Sequence, residues 1–367
     1  MKRKAGLGNF QLNLTQEDFN SYQISDQGSE LKLRAFLFRD GVLYKDGAAI
    51  EGGISEADID FSTKRKVGQG ASASVYYVLH AKTKEPLAMK EIPITTKTHR
   101  DEVSAELSVL AAGIQHPHVT RHFGAFWNAE THSIALVMEW MAYSLADLTK
   151  LFGNLSPDQI RMVAAQLVAG TRFIHDEKKV IHRDLKPSNV LINSAGQVKL
   201  GDFGIAKVVQ SIRVNTSFVG TQLFMAPERL EEGEYGFESD VWSLGLTLIS
   251  CATGKLPWVD ENEDGAVDPN SDNQSMLFRM IQRMHSGKVP EFPPSFPPEA
   301  HDFAARCLDR DPKKRATAAQ LAEHPFIKDV AVEASQQELS SLLAHVSQLT
   351  CRAAGGLGSS GADVLAE

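Results

Sequence analysis

The chain has 367 residues, of which 43% are hydrophobic and 23% charged, and its formal net charge is −8. This size fits one to three domains with a large core, and the negative charge argues against general nucleic-acid binding. The chain has no run of 18 apolar residues that would predict a membrane-spanning helix. The basic start at Met1–Lys4 lacks the apolar stretch of a secretory signal, and three widely spaced cysteines predict inert thiols in a reducing cytosol.

The first 58 residues are polar and mixed, and we predict that they form an N-terminal extension. Within them, Asp40-Gly41 lies between two short apolar runs and predicts a hairpin over residues 36–44. Residues 59–140 then read as strand, glycine-rich turn, strand, turn, strand, helix, strand and strand. This order predicts a small β-rich unit.

After residue 141 the patterns become mainly helical. One helix is predicted from Ser156, where Ser-Pro marks its start, to His175, and a second from Asp240 to Thr253. Asp260–Asp272 carries six acids and predicts an exposed insertion. Five prolines in residues 288–298 predict a non-helical connector. Segment 329–367 is predicted to hold a last amphipathic helix, with apolar positions at Val330, Leu339, Leu342, Leu343, Val346 and Leu349, and a flexible tail from Ala353.

These elements predict an α+β fold with two lobes and a cleft between them. The small lobe is residues 59–140 and the larger helical lobe is residues 141–328.

The run His182–Asn189 reads HRDLKPSN, and Asp202-Phe203-Gly204 follows it. Either tripeptide, HRD or DFG, is an ordinary loop sequence by itself. Both in this order, with Lys and Asn correctly spaced, indicate phosphoryl transfer and the protein kinase signature. In this interpretation Asp184 accepts the proton of the attacking hydroxyl and Lys186 neutralises the γ-phosphate. Asn189 and Asp202 offer hard oxygen ligands for Mg²⁺.

A glycine-rich turn predicts the loop that folds over the phosphates of ATP. The loop consists of Val67, Gly68, Gln69, Gly70, Ala71, Ser72, Ala73, Ser74 and Val75. Ala73 stands where a third glycine is usual, and Val75 would cover the adenine. Because small-residue turns between strands are common, this motif alone is weak.

Ala88-Met89-Lys90 resembles the strand motif whose lysine holds the α- and β-phosphates and pairs with a helix glutamate. Glu106 is the predicted partner, because it lies among apolar positions where a lone carboxylate would be costly. Glu102 is its competitor. Met138, Glu139 and Met141 end a later strand and are predicted to form the hinge that reads adenine, although plain core packing remains an alternative for the two methionines.

The segment between Asp202-Phe203-Gly204 and Ala226-Pro227-Glu228 has 21 residues. Its run Asn215–Thr221, NTSFVGT, resembles the activation segment of MAP kinase kinases. The HRDLKPSN run and the GAFW run at Gly124–Trp127 are also similar to that family, and the resemblance covers about residues 30–330. It implies the bilobal kinase fold and activation by phosphorylation.

The resemblance implies that Ser217 is one activating phosphosite. Ser211 would be the second in the S-x5-S spacing of plant and some protist members, and Thr216 is its rival. Arg183 is the natural partner of such a phosphate.

The start of the chain resembles the docking motif with which MAP kinase kinases hold their substrates. It combines a basic cluster with spaced apolar residues, which suits a groove with an acidic rim. The residues are Lys2, Arg3, Lys4, Phe10 and Leu12. A nonspecific basic start or a nuclear signal is the alternative.

The general kinase plan implies three supporting roles. Thr221 would help to position Asp184 and Lys186, Glu228 would pair with Arg315, and Asp240 would brace the catalytic loop. The sequence departs from the family at Ala73, at Gly201 before the DFG motif, and at residues 141–145, which lack the usual Gly-Gly.

The resemblance implies a dual-specificity kinase that uses ATP and Mg²⁺. It would phosphorylate Thr and Tyr of a downstream MAP kinase, receive its own signal from an upstream MAP kinase kinase kinase, and act in the cytoplasm. We expect neither nucleic-acid binding nor membrane insertion. The alternatives are a Ser/Thr kinase of another tier of the cascade and a scaffold that binds partners without catalysis.

Overall fold

The computed structural model describes residues 22–25, 30–50, 53–70, 72–202, 222–230, 235–258, 280–284 and 286–354, with the backbone alone for 346–354. A part rich in strands ends at Glu139, and a mainly helical part follows it. This arrangement confirms the predicted two-lobed α+β fold. Among the residues described, no helix is both long and apolar enough to cross a membrane.

The first unit is an antiparallel meander of five short strands. They are β1 (Tyr22–Ile24), β2 (Leu31–Leu33), β3 (Phe36–Arg39), β4 (Val42–Lys45) and β5 (Ala48–Ala49), which pair in chain order. β3 and β4 form the predicted hairpin, and the φ angles of 52° at Asp40 and 74° at Gly41 fit a type I′ turn. The other strands have two or three residues, too few to show an alternating pattern.

The second unit is the five-stranded sheet expected from residues 59–140. Its strands are β6 (Ile59–Gln69), β7 (Ser74–His80), β8 (Pro86–Pro93), β9 (His122–Asn128) and β10 (Ser133–Glu139), in the order β6-β7-β8-β10-β9. Helix α1 (Lys97–Ala111) connects β8 to β9. Since side chains alternate along a strand, Lys90 and Ile92 of β8 share one face, which is the face toward α1.

Among the residues described, the helical part holds a small sheet and seven α-helices with defined bounds, besides the π-helical turn Phe173–Glu177 and further helical residues at 280–284. The sheet is β11 (Tyr143–Ser144), β12 (Val190–Ile192) and β13 (Val198–Leu200). The helices are α2 (Leu145–Phe152), α3 (Pro157–Arg172), α4 (Pro227–Leu230), α5 (Glu238–Thr253), α6 (Pro298–Cys307), α7 (Ala318–Ala322) and α8 (Val332–Ala354).

Helix α3 starts at the predicted Ser-Pro, because the hydroxyl of Ser156 caps it by accepting the N–H of Gln159 at 3.3 Å. Helix α5 starts at Glu238, two residues earlier than predicted. Helix α8 starts after Val330 and continues through Ala353, where the tail was predicted to begin. Its Leu339 and Leu343 are buried. The acidic segment Asp260–Asp272 lies outside the described residues.

The largest hydrophobic cluster surrounds α3 and α5, with Trp242 fully buried in it. A Cβ at Gly170 would lie 2.4 Å from the carbonyl oxygen of His118, so glycine lets α3 pass directly against the segment before β9. Cys251 and Cys307 are buried free thiols. Burial raises the pKa of Cys251 to about 12, as expected for an inert thiol.

Candidate nucleotide and phosphoryl-transfer site

The catalytic loop, residues 182–189, is fixed from below by a buried carboxylate of α5. Asp240 is 1% exposed, and its two oxygens accept the backbone N–H of His182 at 2.7 Å and of Arg183 at 2.8 Å. The Nε2–H of His175 donates to the same carboxylate at 2.8 Å. These bonds hold Arg183 at a φ of 72°, which a non-glycine residue rarely adopts. Asp240 therefore makes the bracing contacts expected of it.

Two effects oppose each other at Asp240. Burial raises its pKa, while the hydrogen bond and charge of His175, the neighbouring ring of His182 and the amide of Arg183 lower it. The net direction is a lowered pKa. The carboxylate is thus ionised wherever the protein is folded near neutral pH.

His182 connects the catalytic loop to the strand end that carries Asp202. Its Nε2–H donates to the carbonyl oxygen of Gly201 at 2.8 Å, and its Nδ1 accepts the N–H of Asp184 at 3.3 Å. A ring that donates once and accepts once is neutral, and burial lowers the pKa of His182 accordingly. A Cβ at Gly201 would lie 2.7 Å from Cδ1 of Leu191, so that leucine fills the space a side chain would take.

Asp184, Lys186 and Asn189 form one hydrogen-bonded group. Oδ2 of Asp184 lies 3.0 Å from Nζ of Lys186 and accepts Nδ2–H of Asn189 at 2.9 Å. The same Nδ2 donates to the backbone carbonyl of Asp184 at 2.9 Å. The amide nitrogen is engaged in this way, and the side-chain oxygen of Asn189 accepts the hydroxyl of Ser188 at 3.3 Å. That oxygen has a second lone pair, which can serve a ligand such as a metal ion.

Lys90 is the centre of a second charged group, in the upper lobe. Its Nζ lies 3.0 Å from Oε1 of Glu106 and 3.3 Å from Oε1 of Glu102, and it also contacts Asp202. Burial lowers the pKa of Lys90, but the charges of Asp202, Glu106 and Glu102 raise it well above its usual range. The structure therefore brings both candidate glutamates to Lys90, with Glu106 the nearer and more deeply buried of the two.

The second oxygen of Glu106 reaches a residue that the sequence did not indicate. Nε2 of His122, on β9, lies 3.3 Å from Oε2 of Glu106, and their side chains are 4% and 2% exposed. Glu102 also accepts a hydrogen bond from the hydroxyl of Ser72 in the glycine-rich loop. Neither contact was predicted, because no motif in the sequence links the two residues of either pair.

Asp202 is the last residue described before position 222. Its side chain is 51% exposed and its φ is 54°. The N–H of Gly201 donates to the carbonyl of Asn189 at 2.9 Å, which brings the two predicted metal ligands to neighbouring positions.

The glycine-rich loop is the tight connection between β6 and β7. The N–H of Gly70 donates to the carbonyl of Ala73 at 2.8 Å, while Gly68 and Gln69 pair with Val75 and Ser74. Ala73 is 6% exposed and lies in the hydrophobic cluster that includes Val103 and Leu107 of α1. The methyl group at this position therefore contributes packing. Val67 and Val75 are partly exposed, and Ala71 lies outside the described residues.

The predicted hinge follows β10. Met138 pairs with Ala88 of β8, and Met141 is buried. The N–H of Glu139 donates to the carbonyl of Arg121 at 3.0 Å. Its carboxylate pairs with Lys199 of β13 at 2.7 Å, a contact between the lobes that the sequence did not predict.

The floor of the site holds one expected ion pair and one arrangement that the sequence did not predict. Arg315 donates to both carboxylate oxygens of Glu228, at 2.7 and 3.1 Å, so the expected pair is present. The guanidinium groups of Arg183 and Arg229 lie over the ring of Tyr235, at 5.6 and 5.2 Å from its centroid. Burial lowers the pKa of Arg183.

Several predicted residues lie outside the described ranges. They are the docking residues Lys2, Arg3, Lys4, Phe10 and Leu12, the phosphosites Ser211, Thr216 and Ser217, the DFG residues Phe203 and Gly204, and Thr221.

Comparisons with known proteins agree with this geometry. The protein kinase domain matches residues 61–327. Mitogen-activated protein kinase kinase 1 of Arabidopsis thaliana is 34% identical over 274 residues, which is 73% of this chain and 74% of that protein. Mitogen-activated protein kinase kinase SIPKK of Nicotiana tabacum is 34% identical over 273 residues, 73% of each chain. Dual specificity protein kinase FUZ7 of Mycosarcoma maydis is 31% identical over 317 residues, 74% of this chain and 72% of that one.

Proposed function

The chain belongs to the protein kinase family and, within it, to the MAP kinase kinases; from this premise we propose that it transfers the γ-phosphate of MgATP to the Thr and the Tyr of a MAP kinase's Thr-x-Tyr activation motif. It is a protein kinase and uses ATP with a divalent metal. We further propose that the protein acts in the cytoplasm, where a MAP kinase cascade operates.

The observation that carries the proposal is the placement of two charged groups. Lys90 with Glu106 and Asp202 forms one, and Asp184 with Lys186 and Asn189 forms the other. Lys90 is buried and cationic, so it suits the α- and β-phosphates, and Glu106 holds it in place. Phosphoryl transfer depends mainly on such positioning and on charge neutralisation.

In the proposed step the acceptor hydroxyl gives its proton to Asp184 while its oxygen bonds to the γ-phosphorus. The bond to the bridging oxygen breaks, and that oxygen leaves with ADP. Lys186, which lies 3.0 Å from Asp184, would neutralise charge on the transferred group. His182 and Asp240 keep the loop in position through its backbone.

Mg²⁺ is the metal that we propose, and Asn189 and Asp202 would hold it. An amide oxygen and a half-exposed carboxylate are hard ligands that suit this ion. When bound, the ion would neutralise charge on the phosphate oxygens.

We propose that the backbone of Glu139 and Met141 binds adenine. Ala88 would lie on one face of the base, and Val67 and Val75 on the other. The N–H of Glu139 is engaged with Arg121, so its carbonyl oxygen is the group for the ligand. Gly68, Gln69, Gly70, Ala71, Ser72, Ala73 and Ser74 would cover the phosphates, and Met138 would limit the back of the pocket.

The regulatory part of the proposal rests on the resemblance and lies outside the described residues. Phosphate on Ser217, with Ser211 or Thr216 as the second site, would activate the enzyme, and Arg183 would receive it. Lys2, Arg3, Lys4, Phe10 and Leu12 would hold the MAP kinase. An upstream MAP kinase kinase kinase would supply the phosphate. The working division is an extension over 1–58, a kinase domain over 59–328 and a terminal segment over 329–367.

Phosphosite mapping on catalytically dead MAP kinases of the source organism tests this function. The Ser211→Glu/Ser217→Glu protein is the enzyme and its Lys90→Met form is the control. Phosphate on both Thr and Tyr of one activation motif is the expected result. Phosphate on Thr alone would move the chain to another tier of the cascade, and no transfer by enzyme that has been phosphorylated upstream would favour a scaffold.

A further inference from the structure

The N-terminal meander shares its core with helix α1, the helix that carries Glu106. Five large apolar residues of β2, β3 and β4 are buried in one cluster with Val103 and Leu107 of α1 and with residues of the main sheet. The five are Leu31, Leu33, Phe36, Phe38 and Leu43, each at most 5% exposed.

Helix α1 is covered on more than one face. All seven residues from Val103 to Val109 are buried, although a helical turn contains only 3.6 residues. A helix that packs on a sheet alone would bury a single stripe and expose the opposite one. The cover comes from several sides, because Val103 and Leu107 share a cluster with both the sheet and the meander, while Val109 lies in the cluster of the helical part.

A buried ion pair joins the two elements at the start of α1. Arg34 lies in the turn between β2 and β3, with a φ of 57°, and its guanidinium pairs with the carboxylate of Asp101. The two side chains are 8% and 6% exposed. Arg100 adds a second link, because its guanidinium lies 5.0 Å from the ring centroid of Tyr22 in β1.

Asp101 stands directly before Glu102 and five residues before Glu106, the two acids that reach Lys90. A displacement of α1 along or around its axis would move both acids away from Lys90. Breaking a buried ion pair leaves an uncompensated charge, so the Arg34–Asp101 contact favours one position of the helix.

We propose that the meander of β1 to β5 forms an internal brace for α1, and that Arg34 is a positioning residue that keeps Glu106 on Lys90 through Asp101. The brace is part of the same chain, so the Lys90–Glu106 pair needs no separate partner to hold α1 in place. The consequence for phosphoryl transfer rests on the proposed function, but the effect on nucleotide binding does not.

The test uses the full chain with Arg34→Met, Asp101→Asn and the exchanged pair Arg34→Asp/Asp101→Arg. Affinity for MgATP is measured by calorimetry, and kcat and KM by transfer to the MAP kinase, at a temperature where every variant is folded by circular dichroism. We expect each single change to weaken MgATP binding and lower kcat by roughly tenfold, with the KM for the MAP kinase unchanged. The exchanged pair should recover most of both.

Arg39→Met is the matched control. Arg39 is in the same meander and pairs with Glu30, but the two side chains are 49% and 38% exposed. This variant should behave as the parent protein does. If Arg34→Met does not fold, Arg34→Lys, which keeps the charge, is expected to show an intermediate loss.

A lower melting temperature with unchanged MgATP affinity and kcat would overturn the proposal, because a contact that only stabilises the fold would give that pattern. A loss in Arg34→Lys as large as in Arg34→Met, together with no recovery in the exchanged pair, would also overturn it. Failure of the parent to phosphorylate any MAP kinase would contradict the proposed function alone, since the calorimetric comparison would still report on the brace.

Discussion

Two carboxylates, Asp240 below the cleft and Glu106 above it, are both 1% exposed, yet they are held in different ways. Asp240 accepts two backbone N–H groups of the catalytic loop and one histidine N–H. Glu106 is held by the ends of two side chains, Lys90 and His122, which come from different strands.

The two sets of contacts differ in how easily they can be broken. Backbone donors belong to a loop whose path they define, so the Asp240 contacts can be lost only if that loop changes shape. Side-chain donors can separate by a rotation or by a shift of α1. The floor of the cleft is therefore fixed with the fold, while the upper group depends on where α1 lies.

The largest expected effect follows from removing the fixed carboxylate. Asp240→Ala leaves two amides and a histidine without their acceptor inside the core, so we expect a loss of about 3–5 kcal/mol in unfolding free energy and loss of transfer. Urea denaturation measures the first and a kinase assay the second. Asp158→Ala, whose exposed carboxylate lies 3.7 Å from Arg161, should cost below about 0.5 kcal/mol. A loss under about 1 kcal/mol at Asp240 would remove the distinction between the two regions.

Lys90→Met should separate activity from stability. Methionine keeps the length of the side chain, so the melting temperature should fall less than in Asp240→Ala. Transfer should drop by roughly 10²–10³-fold because a preorganised cation is lost. Lys64→Met, a partly exposed lysine paired with Glu91 at 2.6 Å, is the control. Activity within threefold of the parent would contradict the role given to Lys90.

The roles of Lys90 and Asp240 could be predicted from the sequence, because both residues lie in motifs whose chemistry dictates their residue types. Glu106 was predicted because a lone acid among apolar positions needs a cation. The general kinase plan predicted the Glu228–Arg315 pair.

The contacts that were not predicted share a different property. His122 with Glu106, Lys199 with Glu139 and Arg34 with Asp101 each join elements that are distant in sequence, and none repeats a local period. Strand register and the packing of α1 place them together, and those are properties of the whole fold. Strands β1, β2 and β5 were missed for a related reason, because each is too short to carry a pattern.

The next prediction separates the two glutamates that reach Lys90. Glu106→Gln should reduce kcat by roughly tenfold or more, because its carboxylate is buried and links Lys90 to β9. Glu102→Gln should change kcat less than about threefold, since Glu102 is more exposed and lies farther from Lys90. Steady-state kinetics on the same MAP kinase compares them. The reverse order would make Glu102 the partner of Lys90.

Acid should lower the stability of the fold through three histidines whose pKa values are lowered by burial. Burial, with the nearby charge of His118 and of Lys199, lowers the pKa of His116 to about 4, and burial also lowers the pKa values of His118 and His182. The unfolded chain then binds more protons at these positions than the folded one below pH 6.5, so the three histidines leave stability unchanged well above that pH and lower it as the pH decreases toward 4. Asp240, with its lowered pKa, adds a loss only below 3.8.

Unfolding free energies at pH 7.5, 6.5 and 5.5 measure this dependence. His116→Phe keeps the stacking on Phe173, at a centroid distance of 4.4 Å, and removes the titration, so its stability should vary less with pH. An equal decline in the parent and the variant would assign the acid sensitivity to other groups.

The smallest expected effect is that of a change at His122, which alters a contact of Glu106 but none of Lys90. His122→Phe keeps a ring in the space next to β9 but removes the group at 3.3 Å from Oε2 of Glu106. The loss of one hydrogen bond corresponds to about 1 kcal/mol, which is a decrease of roughly fivefold in kcat if the bond positions Glu106. His122→Gln can still donate an N–H and should recover part of it. If both variants are less stable but keep the parent's kcat, Glu106 is positioned by Lys90 and α1 without help from β9. The charged group around Lys90 would then depend on the position of α1 still more directly.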